Sequence, residues 1–260
     1  NKVDLVICGP EDPLALGAEE FFTKENIPFW GPSKNAAKLE SSKSFAKELM
    51  NAAGVPTAPY VLVRDKYQLQ SIAKQKFIEW GGVVIKADGL AAGKGVFISR
   101  CEKELNEHLK ILEEEKFQNS TRKILIEKIM IGRECSHFSM IAQGRSLESL
   151  GFVVDFKRRY EKDQGLNTGG MGAYSPVPWL PKDADKQVKE RIIKPILTEL
   201  KKRSITYTGF LYCGLMWTQN GPFVVEFNVR LGDPEAQVLV TQDSRDWLEM
   251  IIKSFETQNE

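Results

Sequence analysis

The chain has 260 residues, of which 42% are hydrophobic and 27% charged, as in an ordinary globular protein. Its formal net charge of +1 provides no field that would recruit nucleic acid or a membrane surface. No apolar run approaches transmembrane length. The four cysteines are widely separated, which argues against a disulfide framework or a zinc knuckle and predicts a reducing, cytoplasmic compartment.

The first elements are typical of a βαβ unit with a parallel sheet. Val3 to Cys8 predicts a buried strand, Leu14 to Thr23 a helix, and Ile27 to Trp30 a second strand. The turn Gly9 to Pro13 follows the first strand, at the sheet edge where ligands bind in open α/β proteins. A buried strand this early also predicts that the chain begins partway through a domain.

A second module is predicted after two short helices, Ser33 to Glu40 and Lys43 to Ala53, the latter ended by Gly54. The segment Pro56 to Pro59 is predicted to be a linker. The module then alternates strands and helices, predicted at Tyr60–Val63, Lys66–Trp80, Val83–Ala87, Gly95–Ser99, Lys103–Glu115 and Lys123–Glu127.

The remainder is predicted to be one larger mixed unit. A hairpin of residues 134–142 and 147–155 turns at Gln143-Gly144-Arg145, and a loop covers residues 157–181. A long helix, residues 183–203, carries an apolar stripe and a kink at Pro195. Strands 209–218 and 222–228 join through Asn220-Gly221, and a final helix covers residues 244–255.

Only two histidines are present, so histidine-based catalysis has few candidates. His108 lies in a Lys/Glu-rich helix and is predicted to be solvated, whereas His137 lies in an apolar strand and is predicted to be a partly buried, hydrogen-bonded residue. Carboxylates, lysines and a divalent ion are therefore the better candidates for chemistry.

The segment Lys86 to Gly95 is a glycine-rich turn between two predicted strands. Gly89, Gly93 and Gly95 permit a close backbone approach to a phosphate, and Lys86 and Lys94 add positive charge. The spacing differs from a Walker A loop, and the turn joins two strands rather than a strand and a helix. A phosphate-binding turn and a flexible hairpin both remain open on these residues alone.

The strand that ends at Asn228 combines polar and apolar faces. Strand alternation predicts Glu226, Asn228 and Arg230 on one face, with Val225, Phe227 and Val229 on the other. Carboxylate and amide oxygens suit Mg²⁺, and a guanidinium suits a phosphate or a carboxylate. A half-solvated strand without any ligand is the plainer alternative.

Longer motifs resemble one family of enzymes. Lys43 at the start of a helix, Lys86 before the glycine-rich hairpin and the Glu226-x-Asn228 strand occur in the order used by ATP-grasp ligases. Within that group the chain resembles the phosphoribosylamine–glycine ligase family. The five segments that carry this resemblance are residues 9–14 (GPEDPL), 85–96 (IKADGLAAGKGV), 167–176 (NTGGMGAYSP), 207–212 (YTGFLY) and 230–237 (RLGDPEAQ).

The resemblance implies an α/β (α+β) ATP-grasp fold with a small lid subdomain, preceded by the last part of a Rossmann-like domain. The expected division is residues 1–42 for that remainder, 43–59 and 128–260 for the ATP-grasp core, and 60–127 for the lid. It also implies family segments upstream of Asn1 and beyond Glu260, so we expect the acceptor site to be incomplete. The expected state is a monomer or weak homodimer that binds neither nucleic acid nor membrane.

The resemblance also implies a reaction in which ATP and Mg²⁺ (or Mn²⁺) drive the joining of glycine to 5-phosphoribosylamine through glycyl phosphate. The implied catalytic residues are Lys86, Arg230, Asp155 and Lys157. Those expected to bind ATP are Lys43, Lys86, Gly93, Lys94, Gly95, Glu127, Lys128, Ile129 and Glu134. The metal ligands would be Glu226 and Asn228. The substrate site would comprise Gly9, Pro10, Glu11, Asn167, Thr168, Gly169, Gly170, Met171, Gly172 and Arg230.

Departures from the family pattern leave two alternatives open. The family usually has histidine where this chain has Phe156, proline at Leu166 and alanine at Asp12. The first two changes touch the acceptor region and favour a different ATP-grasp carboxylate–amine ligase as one alternative. The other is a truncated nucleotide-binding module without ligase activity.

Overall fold

The computed structural model describes residues 2–89, 95–113, 123–160 and 164–256. Its first unit is a parallel pair of strands, β1 (Val6–Ile7) and β2 (Phe29–Trp30). The prediction of a buried strand from Val3 to Cys8 is wrong, because Val3 and Ile7 are 51% and 46% exposed. Among the described strands β1 pairs with β2 alone, so one edge of this pair carries no neighbour to bury it.

The predicted helix from Leu14 to Thr23 is two helices. Helix α1 (Glu11–Leu16) and helix α2 (Ala18–Lys24) meet at Gly17, whose φ of 102° breaks the helical path. Only glycine adopts such a φ readily, so the break is encoded at this residue. Helix α1 also begins earlier than predicted, inside the segment interpreted as a turn.

The next two helices differ in how well the sequence predicts them. The helix expected from Ser33 to Glu40 is shortened to α3 (Lys38–Ser41). Helix α4 (Lys43–Ala53) confirms its predicted bounds. Ser42 caps its start by accepting a hydrogen bond from Phe45 N, and Gly54 ends it in the left-handed conformation.

The small sheet, formed after α4, is antiparallel with strand order β3-β6-β4-β5. Its predicted elements are confirmed to within one residue at each end, except that the predicted end of the second helix, Glu115, lies outside the described residues. Leu105, Leu109 and Leu112 of its second helix pack into its core, as the apolar stripe predicts. The elements are β3 (Tyr60–Val63), α5 (Lys66–Trp80), β4 (Val83–Ala87), β5 (Val96–Ser99), α6 (Glu102–Glu113) and β6 (Ile124–Lys128).

The large sheet has strand order β11-β8-β7-β12-β13 and is antiparallel throughout. The first hairpin turns at Gln143 and Gly144, both with positive φ, whereas Arg145 already belongs to a strand. The segment predicted as a loop after Lys157 contains three short strands. The strands of this part of the chain are β7 (Arg133–Ala142), β8 (Arg145–Asp155), β9 (Arg158–Tyr160), β10 (Gln164–Asn167), β11 (Ala173–Tyr174), β12 (Gly209–Thr218) and β13 (Gly221–Asn228).

The predicted long helix is interrupted as its proline suggests. A π-helical turn, Lys189–Ile193, separates α7 (Ala184–Val188) from α8 (Lys194–Lys202). Pro195 lacks the N–H of an ordinary α-helical bond and its ring crowds the preceding turn, which accounts for the wider turn before it. The predicted apolar stripe is confirmed, since Val188, Ile192, Ile196 and Leu200 all lie in the core.

The last helix is shorter than predicted and a further helix precedes it. Helix α10 covers Trp247–Glu256, and helix α9 covers Glu235–Gln242, a segment that contains the end of the RLGDPEAQ motif. None of the helices in the described parts of the chain combines the length and hydropathy needed to cross a membrane. The prediction of a mixed α/β fold is confirmed.

A β-bulge in β13 changes the predicted faces of this strand. The register passes from Leu215 opposite Val224 to Gly214 opposite Glu226, so Val225 is the extra residue. Val224, not Val225, is therefore buried with Phe227 and Val229, and the prediction for Val225 is wrong. The bulge directs the polar end of the strand and the Val225 carbonyl away from the core.

His137 is fully buried in β7, deeper than predicted. Its Nε2 lies 3.0 Å from Asp185 Oδ1 and 3.1 Å from Ser149 Oγ, while Nδ1 has no partner among the described residues. Burial lowers the pKa of His137, so the neutral imidazole donates from Nε2 to the Asp185 carboxylate. His108, predicted to be solvated, is instead half-buried and lies 2.9 Å from Ser99 Oγ.

Acid is expected to destabilise the fold through His137. The pKa of His137 is lowered in the folded state. Below about pH 6.5 the unfolded chain therefore binds a proton that the folded chain does not bind, and the free energy of unfolding decreases as the pH is lowered. We expect the thermal unfolding temperature to decrease when the pH is lowered from 7 to 5. In a His137→Phe variant this decrease should be smaller. An unchanged pH slope in the variant would contradict the assignment.

Candidate nucleotide and metal site

A buried lysine connects the small sheet to β13. Lys86, on β4, is 5% exposed, and its Nζ lies 3.1 Å from Glu127 Oε2 on β6. The same ammonium donates to the Val225 carbonyl of the bulge at 3.2 Å. Lys86 thus spans the two sheets, in the position from which it can reach an anion bound between them.

Lys43 faces the same space from the first turn of α4. Its Nζ donates to the Gly89 carbonyl at 2.7 Å. Burial lowers the pKa of Lys43, whereas the carboxylate of Glu226 opposes that effect and Lys86 adds to it. The predicted phosphate-binding lysines and the predicted metal-binding carboxylate therefore lie within electrostatic reach of one another.

The start of the glycine-rich turn is fixed to the start of α4. Asp88 accepts hydrogen bonds from Ser44 N at 3.2 Å and from Ser44 Oγ at 2.5 Å. At the other end of the turn, Gly95 O accepts from Ala87 N at 2.9 Å. Gly93 and Lys94, predicted to contact phosphates, lie outside the described residues.

Glu226 and Asn228 fit a site for a magnesium ion that is shared with a nucleotide. Both side chains are partly exposed next to buried Phe227, and Glu226 stands opposite Gly214, whose lack of a side chain leaves space. Within the described ranges there is no group of three acidic, histidine or cysteine side chains that could hold a metal alone. Two protein ligands suit Mg²⁺, which commonly completes its shell with phosphate oxygens and water.

Lys157 follows strand β8, which ends at Asp155. Burial alone lowers the pKa of Lys157, yet the groups around it raise the pKa above its ordinary value. Burial also raises the pKa of Tyr212, so this phenol is neutral near pH 7 and the attraction comes from carboxylates. The carboxylates that raise this pKa belong to Glu226, Asp155 and Glu134, and of these Asp155 lies 3.8 Å from the Lys157 ammonium.

The predicted substrate loop packs against the end of β8. Thr168 Oγ1 and N both donate to the Lys157 carbonyl, and Met171 N donates to the Phe156 carbonyl at 2.8 Å. A side chain at Gly170, with φ of 121°, would collide with Pro234 of the RLGDPEAQ motif. The structure therefore brings two motifs that are far apart in sequence into contact. The loop residues are Asn167, Thr168, Gly169, Gly170, Met171 and Gly172.

Arg230 is held by two carboxylates. Its Nε donates to Glu11 Oε2 at 2.8 Å, and its Nη2 lies 3.1 Å from Glu40 Oε1. Glu40 Oε2 also accepts from Val229 N at 2.8 Å. A substrate anion at Arg230 would have to displace Glu11, the more exposed carboxylate, and Gly9 and Pro10 are exposed next to it.

The predicted adenine-binding segment runs along the linker between the sheets. Lys128 N donates to the Pro59 carbonyl at 2.9 Å, and Glu134 is exposed on β7. The Glu127 carboxylate is buried among lysines instead of facing solvent. Roles for Glu127, Lys128, Ile129 and Glu134 toward the nucleotide stay predictions.

Two residues of this site were missed in the sequence. Lys47 pairs with Glu127 at 3.3 Å and lies four residues after Lys43, so helical periodicity alone would place both on one face of α4. Glu40 contacts Arg230 across a large sequence separation, and no local pattern marks such a pairing.

Comparison with known proteins identifies the family. The family model for the ATP-grasp (A) domain of phosphoribosylglycinamide synthetase matches residues 41–236. The chain belongs to the phosphoribosylglycinamide synthetase family. The model for the N domain of the same synthetase matches residues 1–40.

Curated relatives of this family are longer than the chain. A phosphoribosylamine–glycine ligase of Caldanaerobacter subterraneus is 42% identical over 259 residues, which cover 98% of this chain and 61% of the relative. A phosphoribosylamine–glycine ligase of Leptospira interrogans is 42% identical over 256 residues, which cover 98% of this chain and 59% of the relative. The chain therefore spans about three fifths of the length of these relatives.

Solved structures show the same fold. The phosphoribosylamine–glycine ligase of Thermotoga maritima matches with a TM-score of 0.81 and 33% identity, over 99% of this chain and 62% of that one. A biotin carboxylase from Campylobacter jejuni, solved as a β,γ-ATP complex, matches with a TM-score of 0.75 and 24% identity over 96% of this chain and 54% of that one. The second likeness supports the fold alone, and together they confirm the predicted ATP-grasp fold.

Proposed function

We propose that this chain forms the core of an ATP-dependent ligase that joins glycine to 5-phosphoribosylamine, giving glycinamide ribonucleotide, ADP and phosphate. The observation that carries the proposal is that Lys86 donates to the Val225 carbonyl, next to Glu226 in the chain, while Lys43 donates to the Gly89 carbonyl of the glycine-rich turn and is influenced electrostatically by Glu226. Family membership supports the choice of substrates, because the relatives named above are phosphoribosylamine–glycine ligases. ATP and Mg²⁺ (or Mn²⁺) are the proposed cofactors.

The residues of this site suit phosphoryl transfer followed by amide formation. A carboxylate oxygen of glycine attacks the γ-phosphorus of ATP, ADP leaves, and glycyl phosphate forms. The amine of phosphoribosylamine then attacks the acyl carbon, and phosphate leaves as the amide forms. Lys43 and Lys86 neutralise charge on the transferred group, and Glu226 and Asn228 would hold a metal ion that stabilises the same charge.

The acceptor side of the site suits an anionic, hydroxyl-bearing substrate. Lys157 stays charged among its carboxylates, and the loop 168–172 is fixed beside it by hydrogen bonds from Thr168 N and Met171 N to the Lys157 and Phe156 carbonyls. Phe156, where the family usually has histidine, is 53% exposed, and its ring centroid lies 5.9 Å from that of Tyr174. We propose that this change affects acceptor affinity rather than the phosphoryl transfer.

Release of ADP in the presence of single amino acids and amines tests the substrates. In the ligase whose core this chain forms, we expect glycine together with phosphoribosylamine to give the fastest release and the amide product to appear with it, whereas the chain alone is expected to give little or no ligation. A clear preference for another amino acid would favour a different carboxylate–amine ligase. Binding of ADP without any turnover would favour a nucleotide-binding module. This alternative is motivated by the share of its relatives' length that the chain spans, about three fifths. A cytoplasmic location, a monomer or weak homodimer, and the absence of nucleic acid or membrane binding stay predictions.

A further inference from the structure

Lys47 is a buried lysine that no proposed step of the reaction uses. It is 2% exposed on α4, and its Nζ lies 3.3 Å from Glu127 Oε2. The ammonium donates to Thr57 Oγ1 at 2.7 Å, and this hydroxyl donates to the Val224 carbonyl at 2.7 Å. One charged group therefore connects α4, the linker, β6 and, through Thr57, strand β13.

Glu127 is shared by two lysines. Its Oε2 lies near both Lys47 and Lys86, at 3.3 and 3.1 Å, while Oε1 is buried and has no hydrogen-bond partner among the described residues. A buried carboxylate is strongly disfavoured without a counter-ion. If Lys86 were its single counter-ion, any movement of Lys86 toward a phosphate would leave Glu127 charged and unpaired.

Lys47 is placed to remove that conflict. Its contacts to Thr57 and to the Ala58 carbonyl hold the ammonium at the linker, whereas Lys86 donates to the Val225 carbonyl of the bulge. Burial lowers the pKa of Lys47 to about 8, against the attraction of Glu127, so the ammonium is charged at pH 7. The ring of Tyr60 lies 5.4 Å from it, which favours the cationic form further.

We propose that Lys47 is a positioning residue of the nucleotide site: it is the permanent counter-ion of Glu127, which leaves Lys86 free to bind a nucleotide phosphate. The inference rests on the proposed function, since it assumes that Lys86 binds a phosphate. If Lys47 acts as this counter-ion, the effect of replacing it on nucleotide affinity depends on the charge of Glu127. If Lys47 only packs in the core, the effect is the same whether or not Glu127 is charged.

A double-mutant cycle at pH 7 tests this dependence, with ADP and Mg²⁺ as the probe and calorimetric titration as the measurement. In the wild-type background, Lys47→Met is expected to weaken ADP binding roughly tenfold or more, because Glu127 then retains Lys86. In the Glu127→Gln background, the same change is expected to alter the affinity by less than about twofold. Lys202→Met, at a side chain that is 67% exposed, is the matched control and should bind as the wild type does.

The outcomes separate the two proposals. Equal losses in both backgrounds, or no loss in the wild-type background, would overturn the role of Lys47 while the proposed function stands. Absence of Mg²⁺-dependent ADP binding by the wild-type chain would overturn both. If Lys47→Met alone does not fold, the comparison of Glu127→Gln with the double variant decides: a large loss there contradicts the proposal, and unchanged affinity supports it.

Discussion

A Glu226→Gln variant is expected to lose the tightening of ADP binding that Mg²⁺ gives the wild-type chain. The substitution keeps the shape of the side chain but removes one of the two proposed metal ligands and its charge. In the ligase whose core this chain forms, turnover should fall about a thousandfold, which corresponds to roughly 4 kcal/mol of lost transition-state stabilisation. Titrations with Mg²⁺ and with a chelator measure the first effect, and product formation measures the second.

The metal-free state provides a second, opposite readout. Glu226 opposes the lowering of the Lys43 pKa by burial and helps to raise the pKa of Lys157, so its charge also repels an incoming phosphate. Without metal, Glu226→Gln should bind ADP as tightly as the wild type or more tightly. Glu148→Gln, at a carboxylate that is 49% exposed on β8, is the matched control and should leave both readouts unchanged. Retention of wild-type turnover in Glu226→Gln would remove the metal assignment.

The sequence predicts the small sheet better than any other part of the fold. Its strands and helices are short, regular and separated by glycines such as Gly54 and Gly81, so local pattern and tertiary structure agree. The N-terminal strand was overestimated because Val3 to Cys8 has the composition of a central strand, while the described structure gives it one neighbour. The composition of a segment indicates whether its side chains could be buried in a strand. The number of neighbouring strands in the sheet determines whether they are buried.

The candidate site shows the same division between local and long-range information. Lys86 and Glu226 stand out as candidates in short sequence patterns, and Lys43 through the family resemblance; their roles stay predictions. The bulge at Val225 could not be predicted, because it depends on the register between β12 and β13. Glu40 could not be predicted either, since its partner Arg230 lies on another element far along the chain. Pairings of this kind appear only when the fold brings the elements together.

Arg230→Leu is expected to destabilise the fold by about 3 kcal/mol near pH 8, because it removes the hydrogen bonds of the guanidinium to Glu11 and to the Leu231 carbonyl and leaves buried Glu40 without its counter-ion. The Glu40 side chain is 7% exposed and the Arg230 side chain 22%, so solvent screens this pair little. Arg64→Leu is the matched control: Arg64 pairs with Glu48 at 3.7 Å with side chains 65% and 50% exposed, and it should cost less than about 0.5 kcal/mol. Chemical denaturation of both variants measures the difference.

The loss in Arg230→Leu should also depend on pH, and in a direction that the burial of Glu40 sets. Burial raises the pKa of Glu40 to about 7, although Arg230 lowers it, so at pH 6 the wild-type carboxyl is largely protonated and gains little from the guanidinium. A carboxyl with a raised folded-state pKa loses stability as pH rises through that pKa, and removing Arg230 raises the pKa further. The deficit of the variant relative to the wild type should therefore grow from pH 6 to pH 8. A deficit that is equal at both pH values would show that the guanidinium stabilises the fold through Glu11 and Leu231 and not through the charge of Glu40.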